Sequence, residues 1–474
     1  MDRRNFSKLV VGAATSCALS QILLVRNAFA ANDTEEVDEF RRLVRYRILQ
    51  QHAAYAAVAG TINSSGRRII TVRDPNAGDG YRLGGDTIFE IASLTKVFTA
   101  LLLALEVVQK RVRLDDPLQK YVPDGIKTPT FEGRQITLAD LATHSASLPL
   151  RPNNLATSAP DALNKYAGYT LKQLYGGLPD YHLTREPGAQ FEYSNLAFAL
   201  LGQGIALRED SSFAELLHRR VVEPLGLKDT AFEDDPREAG RRAQGHDFYL
   251  DPVGPTSDGA LSPAGGLRST AKDLLSLLDL FINGRGPKDL VAAARLMLSV
   301  DRPGDDEVTR MALGWRKTTI HGQTYYWSNG SSDGSRTFMG FNLARGLGVV
   351  TLADAASGGG LDDISRRFLD PRQEVFTQIF PEPVFVTLPE GVLLRAVGRY
   401  EYGSNSVLEI SRGATGLIVT AGEAQFGIRP QSPTLYSSKM VPGVSMEFKG
   451  AEVGPAHALV VHQNGESYVH KRKE

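Results

Sequence analysis

The chain has 474 residues, 42% hydrophobic and 23% charged, with 53 basic and 54 acidic side chains and a formal net charge of −1. These are ordinary values for a globular protein long enough to form two or more domains. They exclude a basic field for nucleic acid and an acidic solvated tail.

The first thirty residues, "MDRRNFSKLVVGAATSCALSQILLVRNAFA", differ in texture from the rest. Arg3-Arg4 opens a charged start, Leu9 to Val25 is apolar, and Ala28-Phe29-Ala30 matches a small-residue cleavage site. The pattern predicts an export signal of twin-arginine type over 1–30 and a periplasmic or secreted bacterial product. The alternative, an uncleaved membrane anchor, is disfavoured by the Ser, Thr, Gly and Gln within the apolar stretch. Cleavage after Ala30 leaves 49 basic and 53 acidic residues, a net charge of −4. It also removes Cys17, the one cysteine, which excludes thiol catalysis, disulfides and cysteine metal sites from the mature chain.

A charged helical pattern runs from about Glu35 to Gln51. "YAAVAGTINSSGRRIITVRD" reads as two strands around a Ser-Gly turn. An apolar helix follows Ser93, and the stretch from roughly 110 to 300 reads as mostly helical, with caps and prolines between segments. "SPAGGLRSTAKDLLSLLDLFING" is predicted as one helix with a serine cap and an Asn283-Gly284 end. Strand texture returns in "QTYYWSNG", "SRTFMGFN" and "GLGVVTLAD", and a final helix is expected near 361–379. Three prolines in "FPEPVFVTLPEG" mark a linker, taken as 381–390. The alternating runs from 391 to 474 predict a small antiparallel β domain. His457, His462 and His470 are too scattered there for a metal site.

"FEIASLTKVFTALLLALEVV" places Ser93 at a helix front and Lys96 three residues on, among apolar neighbours. A lysine is seldom buried unless it is paired or has a chemical role. A serine at a helix N-terminus feels the positive end of the macrodipole, and an apolar environment pushes a lysine toward the neutral amine. A neutral amine beside a hydroxyl accepts its proton, so S-x-x-K supplies nucleophile and base in one helical turn. Spacing alone does not distinguish this from a snorkelling lysine. The same spacing recurs at Ser269 and Lys272, where an amphipathic helix suggests only an N-cap.

Two further triplets accompany Ser93: Tyr193-Ser194-Asn195 before an apolar helix, and Ser328-Asn329-Gly330 on a predicted strand. With these, the chain resembles the serine β-lactamase and penicillin-binding family, in particular class C β-lactamases, DD-peptidases and related carboxylesterases. "LDDPLQKYVP", "ITLADLATHSASLP", "REPGAQFEYSN" and "SPAGGLRSTAKDLL" are similar to family segments, and the resemblance covers about residues 40–370. It implies a mixed α/β fold: an antiparallel sheet flanked by helices, with an inserted all-helical subdomain and the site at its boundary. The block after 390 resembles an appended lipocalin-like domain. The resemblance further implies Ser93 as the acylated nucleophile, Lys96 as its proton acceptor and Tyr193 as a proton relay. It implies that Asn195 binds the substrate amide. Ser328, Asn329 and Gly330 would flank the substrate, and the Ser93 and Ser331 N–H groups would form the oxyanion hole. No metal or organic cofactor is implied. The implied partner is a small-molecule or peptidoglycan-like substrate, with no nucleic acid and no stable membrane insertion after signal cleavage; the oligomeric state stays open.

Two positions depart from the family pattern. Ser328 stands where the family usually has Lys or His, the cation that meets a substrate carboxylate. Its neutrality favours small neutral esters or amides over carboxylate-bearing lactams and D-Ala peptides, unless a nearby base such as Arg336 substitutes. Ser147 stands where the family segment often has glycine. Two other readings compete. Gly330-Ser331-Ser332-Asp333-Gly334 fits G-x-S-x-G, which would make Ser332 an α/β-hydrolase nucleophile with Asp354 and His457, but strands rather than a helix follow it. Alternatively, the chain is a non-hydrolytic penicillin- or peptidoglycan-binding protein.

Overall fold

The computed structural model describes residues 34–474 apart from 79, 156–163, 165, 233–239, 357–359, 378–382, 403–405, 414–415, 422–423, 439–442, 464 and 474. The expected export signal lies outside the described residues. Among those described, no helix is long and apolar enough to cross a membrane.

Helix α1 spans 34–49. Its buried Val37, Phe40, Val44 and Ile48 recur at helical spacing and form one apolar stripe. Strands β1 (Ala56–Asn63) and β2 (Gly66–Arg73) form the expected hairpin, with Gly66 at φ +107° where the turn needs a left-handed residue. β3 (Arg302–Pro303), β4 (Thr309–Met311), β5 (Arg316–Ile320), β6 (Gln323–Ser331), β7 (Arg336–Asn342) and β8 (Leu347–Ala353) complete an eight-stranded sheet in the order β2-β1-β8-β7-β6-β5-β4-β3. Each neighbouring pair is antiparallel. β8 follows the helical middle of the chain yet pairs with β1, so two segments far apart in sequence lie side by side in the sheet. β1 and β8 are buried on both faces, so they read as continuous apolar runs rather than alternating ones.

On one face lie α2 (Thr95–Val108), α3 (Asn195–Arg208), α4 (Ala271–Asn283) and α5 (Lys288–Ser299), which share the larger apolar core. On the other face α1 and α6 (Asp362–Leu369) pack a smaller core, with Phe40 and Phe368 rings 5.1 Å apart. Two expected helices are shorter in the structure. The one near 361–379 stops at Leu369, where Asp370 turns extended and its carboxylate is engaged by His321, Arg372 and Gln373. "SPAGGLRST" is broken: a short helix Ser262–Gly265 gives way to the strand Arg268–Ser269 before α4 begins. The cap of α4 is Thr270, whose Oγ1 accepts from the Asp273 N–H at 3.2 Å, while Ser269 bonds Thr230 and Lys272 is exposed.

After the short helix Glu390–Leu393, eight strands from Gly398–Tyr402 to Glu466–Lys473 close into an antiparallel barrel. Its interior is filled by side chains, with Tyr400, Tyr436 and Phe448 fully buried and their rings 5.1 to 5.8 Å apart. Arg429 of the barrel stacks 3.8 Å above the Tyr249 ring and pairs with Asp251, which fastens the barrel to the 245–253 hairpin of the first domain.

Candidate active site

Ser93 sits on a tight turn, Ala92–Leu94, directly ahead of α2. Four bonds from other parts of the chain hold that turn. Ile91 N donates to Leu267 O at 3.0 Å, Thr337 Oγ1 to Ile91 O at 3.0 Å, Ser335 Oγ to Glu90 O at 2.7 Å, and Leu267 N to Thr95 Oγ1 at 3.1 Å. Ala92 is held at φ +46°, a strained left-handed conformation that the surrounding bonds over-determine.

α2 is buried from Thr95 to Glu106, so the Lys96 stem has no route to solvent and the residue is 3% exposed. Its Nζ reaches Ser93 Oγ at 2.9 Å and donates to Ala264 O at 2.7 Å. Tyr193 precedes α3, and its hydroxyl donates to Ser93 Oγ at 2.8 Å. Lys96 and Tyr193, named by two separate motifs, therefore meet at one oxygen, Ser93 Oγ. Burial pulls the Lys96 pKa down from its ordinary value, and the nearby Arg316 guanidinium adds to that. Burial alone would raise the Tyr193 phenol, but the Lys96 charge, bonds from Lys96 and Ser93, and Arg316 outweigh it and leave it lowered. Both directions reduce the work of presenting a proton-accepting atom to Ser93.

β6 forms the opposite wall. An added Cβ on Gly330 would fall 2.5 Å from Ile91 O, 2.6 Å from Thr337 Oγ1 and 2.9 Å from Ser93 N, so only glycine lets the strand lie against the Ser93 turn. Ser328 is two residues back on the same face of β6 and is 6% exposed. Alternation turns Asn329 the other way: its Nδ2 donates to Asp362 Oδ2 at 2.7 Å on α6, so this side chain is not among the groups facing Ser93. Arg336 is committed to the same carboxylate, at 2.7 Å, and does not replace a cation at Ser328. Ser331 is exposed, and its peptide follows the one packed on Ser93. Asn195 opens α3, hydrogen-bonds Tyr166, and keeps Oδ1 buried without a donor among the described residues, which is what a substrate N–H would supply.

Three groups the motifs did not single out also shape the site. His144 Nδ1 accepts from Ser194 N at 3.1 Å and its ring lies 4.3 Å from that of Tyr193, so it props the tyrosine; burial, then Lys96 and Arg316, hold its pKa well below the usual value. Asp258 faces Lys96, and burial, aided by Glu90 and Asp333, pushes its carboxyl up to about 7. Arg316 opens β5 with its Cζ 5.7 Å from the Tyr193 ring. Only His144 had a local sequence signal, the "THSAS" turn; the other two reach the site from distant segments. In that turn Ser147 sits at φ +56°, which explains why glycine is suited to the position.

The competing nucleophile is not assembled. Ser332 lies in a strand–turn–strand hairpin, and its Oγ shares a 3.0 Å bond with Ser335 Oγ. Asp354 is spent on Ala56 N at 2.7 Å and Tyr81 OH at 2.9 Å, while His457 belongs to the barrel. No group of three or more His, Asp or Glu side chains converges as a metal site among the described residues.

Comparison with known proteins bears on the family and the fold. A family model described as Beta-lactamase matches residues 40–370. The D-alanyl-D-alanine-carboxypeptidase/endopeptidase AmpH of Escherichia coli K12 is 32% identical over 266 residues, which are 54% of this chain and 67% of that protein. The class C β-lactamase structure from Rhodobacter sphaeroides superposes with a TM-score of 0.60 at 22% identity, covering 70% of this chain and 98% of the other. The β-lactamase/D-alanine carboxypeptidase structure from Yersinia pestis gives 0.60 at 21% identity, covering 72% and 98%. Because the family match takes in the whole eight-stranded sheet and the helices around Ser93, the chain belongs to the β-lactamase family, and its relatives support a serine hydrolase.

Proposed function

We propose that this protein is an exported hydrolase that works through an acyl-enzyme on Ser93, with β-lactams, D-amino-acid peptides or small esters and amides as substrates. The observation that carries the reading is the convergence of Lys96 Nζ at 2.9 Å and Tyr193 OH at 2.8 Å on Ser93 Oγ. Ser93 Oγ attacks the substrate carbonyl while its proton passes to the Lys96–Tyr193 pair. The carbonyl oxygen, now negative, is stabilised by the Ser93 and Ser331 N–H groups at the helix start and the sheet edge. Tyr193 returns the proton to the leaving group and then draws one from the water that frees Ser93. Asn195 Oδ1 accepts a substrate amide N–H. Export rests on Arg3-Arg4 and the apolar leader, and fractionation of cells carrying the Arg3→Lys, Arg4→Lys variant tests it: an unchanged extracytoplasmic yield refutes the twin-arginine route.

The test of the chemistry is the Ser93→Ala variant with nitrocefin, a D-Ala-D-Ala peptide and short p-nitrophenyl esters. The parent turns over at least one substrate class and shows an acyl adduct in its intact mass; the variant folds and does neither. An adduct that persists on the variant, or that forms on the parent and never turns over, overturns the proposal, and the latter leaves a binding protein.

A further inference from the structure

The family position that normally carries a cation holds the short, neutral Ser328, and the base named from sequence as its substitute, Arg336, is bound to Asp362. Another guanidinium stands closer to the chemistry. Arg316 is the first residue of β5 and pairs directly with Trp327, the neighbour of Ser328 on β6. Its Cζ lies 4.9 Å from the Trp327 ring, 5.8 Å from Phe191 and 5.7 Å from Tyr193, so three aromatic faces hold it in an electron-rich corner. The side chain is only 15% exposed, which limits its freedom to swing away. Asp305 Oδ2 accepts from Nε at 2.9 Å and fixes one edge of the planar fork. Neither Nη atom has a hydrogen-bond partner among the described residues. A half-satisfied guanidinium beside a reacting tyrosine is suited to a carboxylate, which takes two parallel N–H donors from such a fork.

The nearby alternatives are engaged elsewhere. Arg366 also lies 5.2 Å from the Trp327 ring, but it comes from α6, whereas Arg316 is the guanidinium that also reaches the Phe191 and Tyr193 rings. Lys317 reaches Asp301 at 3.3 Å. Arg151 is exposed and interacts with Tyr166, on the Asn195 side of the site.

We propose that Arg316 is the residue that recognises a carboxylate on the substrate's leaving-group side, taking over from the adjacent strand the task that Ser328 has given up. This rests on the acyl-enzyme reading above. It reverses the preference that Ser328 alone suggests: the enzyme favours acyl donors that bear a carboxylate over matched neutral ones.

The experiment uses two thioesters that differ in one group, an acylglycyl thioglycolate and its carboxamide. Both acylate Ser93, and only the first has a charged leaving group. The full-length parent is expected to prefer the carboxylate by about 10- to 100-fold in kcat/KM, the worth of one charge-assisted bond pair. Arg316→Gln is expected to remove that preference: whatever change the altered electrostatics at Lys96 and Tyr193 impose on both substrates, kcat/KM falls at least about 10-fold further for the carboxylate than for the carboxamide, and a circular-dichroism melt shows the variant folded. A parent that does not discriminate between the two substrates overturns the assignment without any variant. So does an Arg316→Gln variant that keeps the preference or loses both rates equally. If neither thioester is hydrolysed by the parent and Ser93 takes no label, the acyl-enzyme reading itself has failed.

Discussion

Gly330→Ala tests whether the sheet edge places the nucleophile. The new Cβ would sit 2.5 Å from Ile91 O and 2.9 Å from Ser93 N, against about 3.4 Å for ordinary contact, so something moves by roughly 0.5–0.9 Å. Two of the three obstructing atoms, Ile91 O and Ser93 N, are backbone, and the third, Thr337 Oγ1, is itself bonded to Ile91 O. Ile91 is tied to Leu267 by its N–H and to Thr337 by its carbonyl, so no side-chain rotation relieves the clash. The relief available is to push the Ile91–Ser93 turn off β6, which displaces Ser93 Oγ from Lys96 and Tyr193 and parts the two oxyanion donors. A misplacement near 1 Å at a reacting centre costs about 100-fold, or about 2.7 kcal/mol in barrier. The comparison is Gly348→Ala on β8, where the added Cβ meets only side-chain ends, Ile62 Cγ2 at 2.6 Å and Ile282 Cδ1 at 2.7 Å. That variant is overpacked far from Ser93, so it loses about 1–3 kcal/mol of stability and keeps its kcat. Steady-state kinetics and urea unfolding on both variants give the answer. If Gly330→Ala keeps more than a third of parental kcat, or Gly348→Ala loses as much activity, the sheet edge does not set the nucleophile's position.

Two further outcomes concern stability. Ser147 combines φ +56° with a buried Oγ that has no partner among the described residues. Left-handed strain of about 1–2 kcal/mol, set against about 0.5–1 kcal/mol of glycine entropy, predicts that Ser147→Gly stabilises by about 1 kcal/mol, a rise of about 2 °C in Tm by calorimetry; an unchanged or lower Tm refutes the strain argument. Asp258 holds its proton up to about pH 7, because burial, with Glu90 and Asp333, outweighs the pull of Lys96 and Arg268. Its folded pKa lies above the unfolded value of 3.8, so the native state binds more protons in that interval and stability falls as pH rises through it. Between pH 5 and 8 the parent is expected to lose on the order of 2–3 kcal/mol that the Asp258→Asn variant keeps; matching pH slopes in urea unfolding would sink this.

Ser328 marks how far local pattern reaches. From sequence, the absence of a cation at that position pointed to neutral substrates, with Arg336 as a possible substitute. The strand register removes Arg336 as that substitute, and the role proposed for Arg316 argues against the neutral preference. Arg336 pairs with Ser331, and its guanidinium is bound to Asp362. Arg316, twelve positions earlier than Ser328, pairs with Trp327 on β6, and its side chain reaches the Tyr193 ring. The broken "SPAGGLRST" segment teaches the same point. Its hydrophobic pattern continues helical, but Ala264 O is taken by Lys96 and Leu267 pairs with Ile91, so tertiary bonds interrupt the helix where they are needed.

The sequence by itself determined what is written within a turn or two of chain. Ser93 and Lys96 share a helical face because three residues bring a side chain almost back above itself. α1 and α4 follow from apolar spacing, and the hairpin of β1 and β2 from its turn. The order of the three motifs, with the resemblance they carried, was sufficient for the family and its mixed fold. The tertiary structure alone decided what depends on residues distant in sequence. It brought Tyr193 to Ser93 across 100 positions, turned Asn329 away, set Asp258 opposite Lys96 and placed Arg316 by the tyrosine. The physical reason is that sheet register and helix packing fix those distances, and both are settled by the burial of apolar area summed over the whole core. No short stretch of sequence carries that sum.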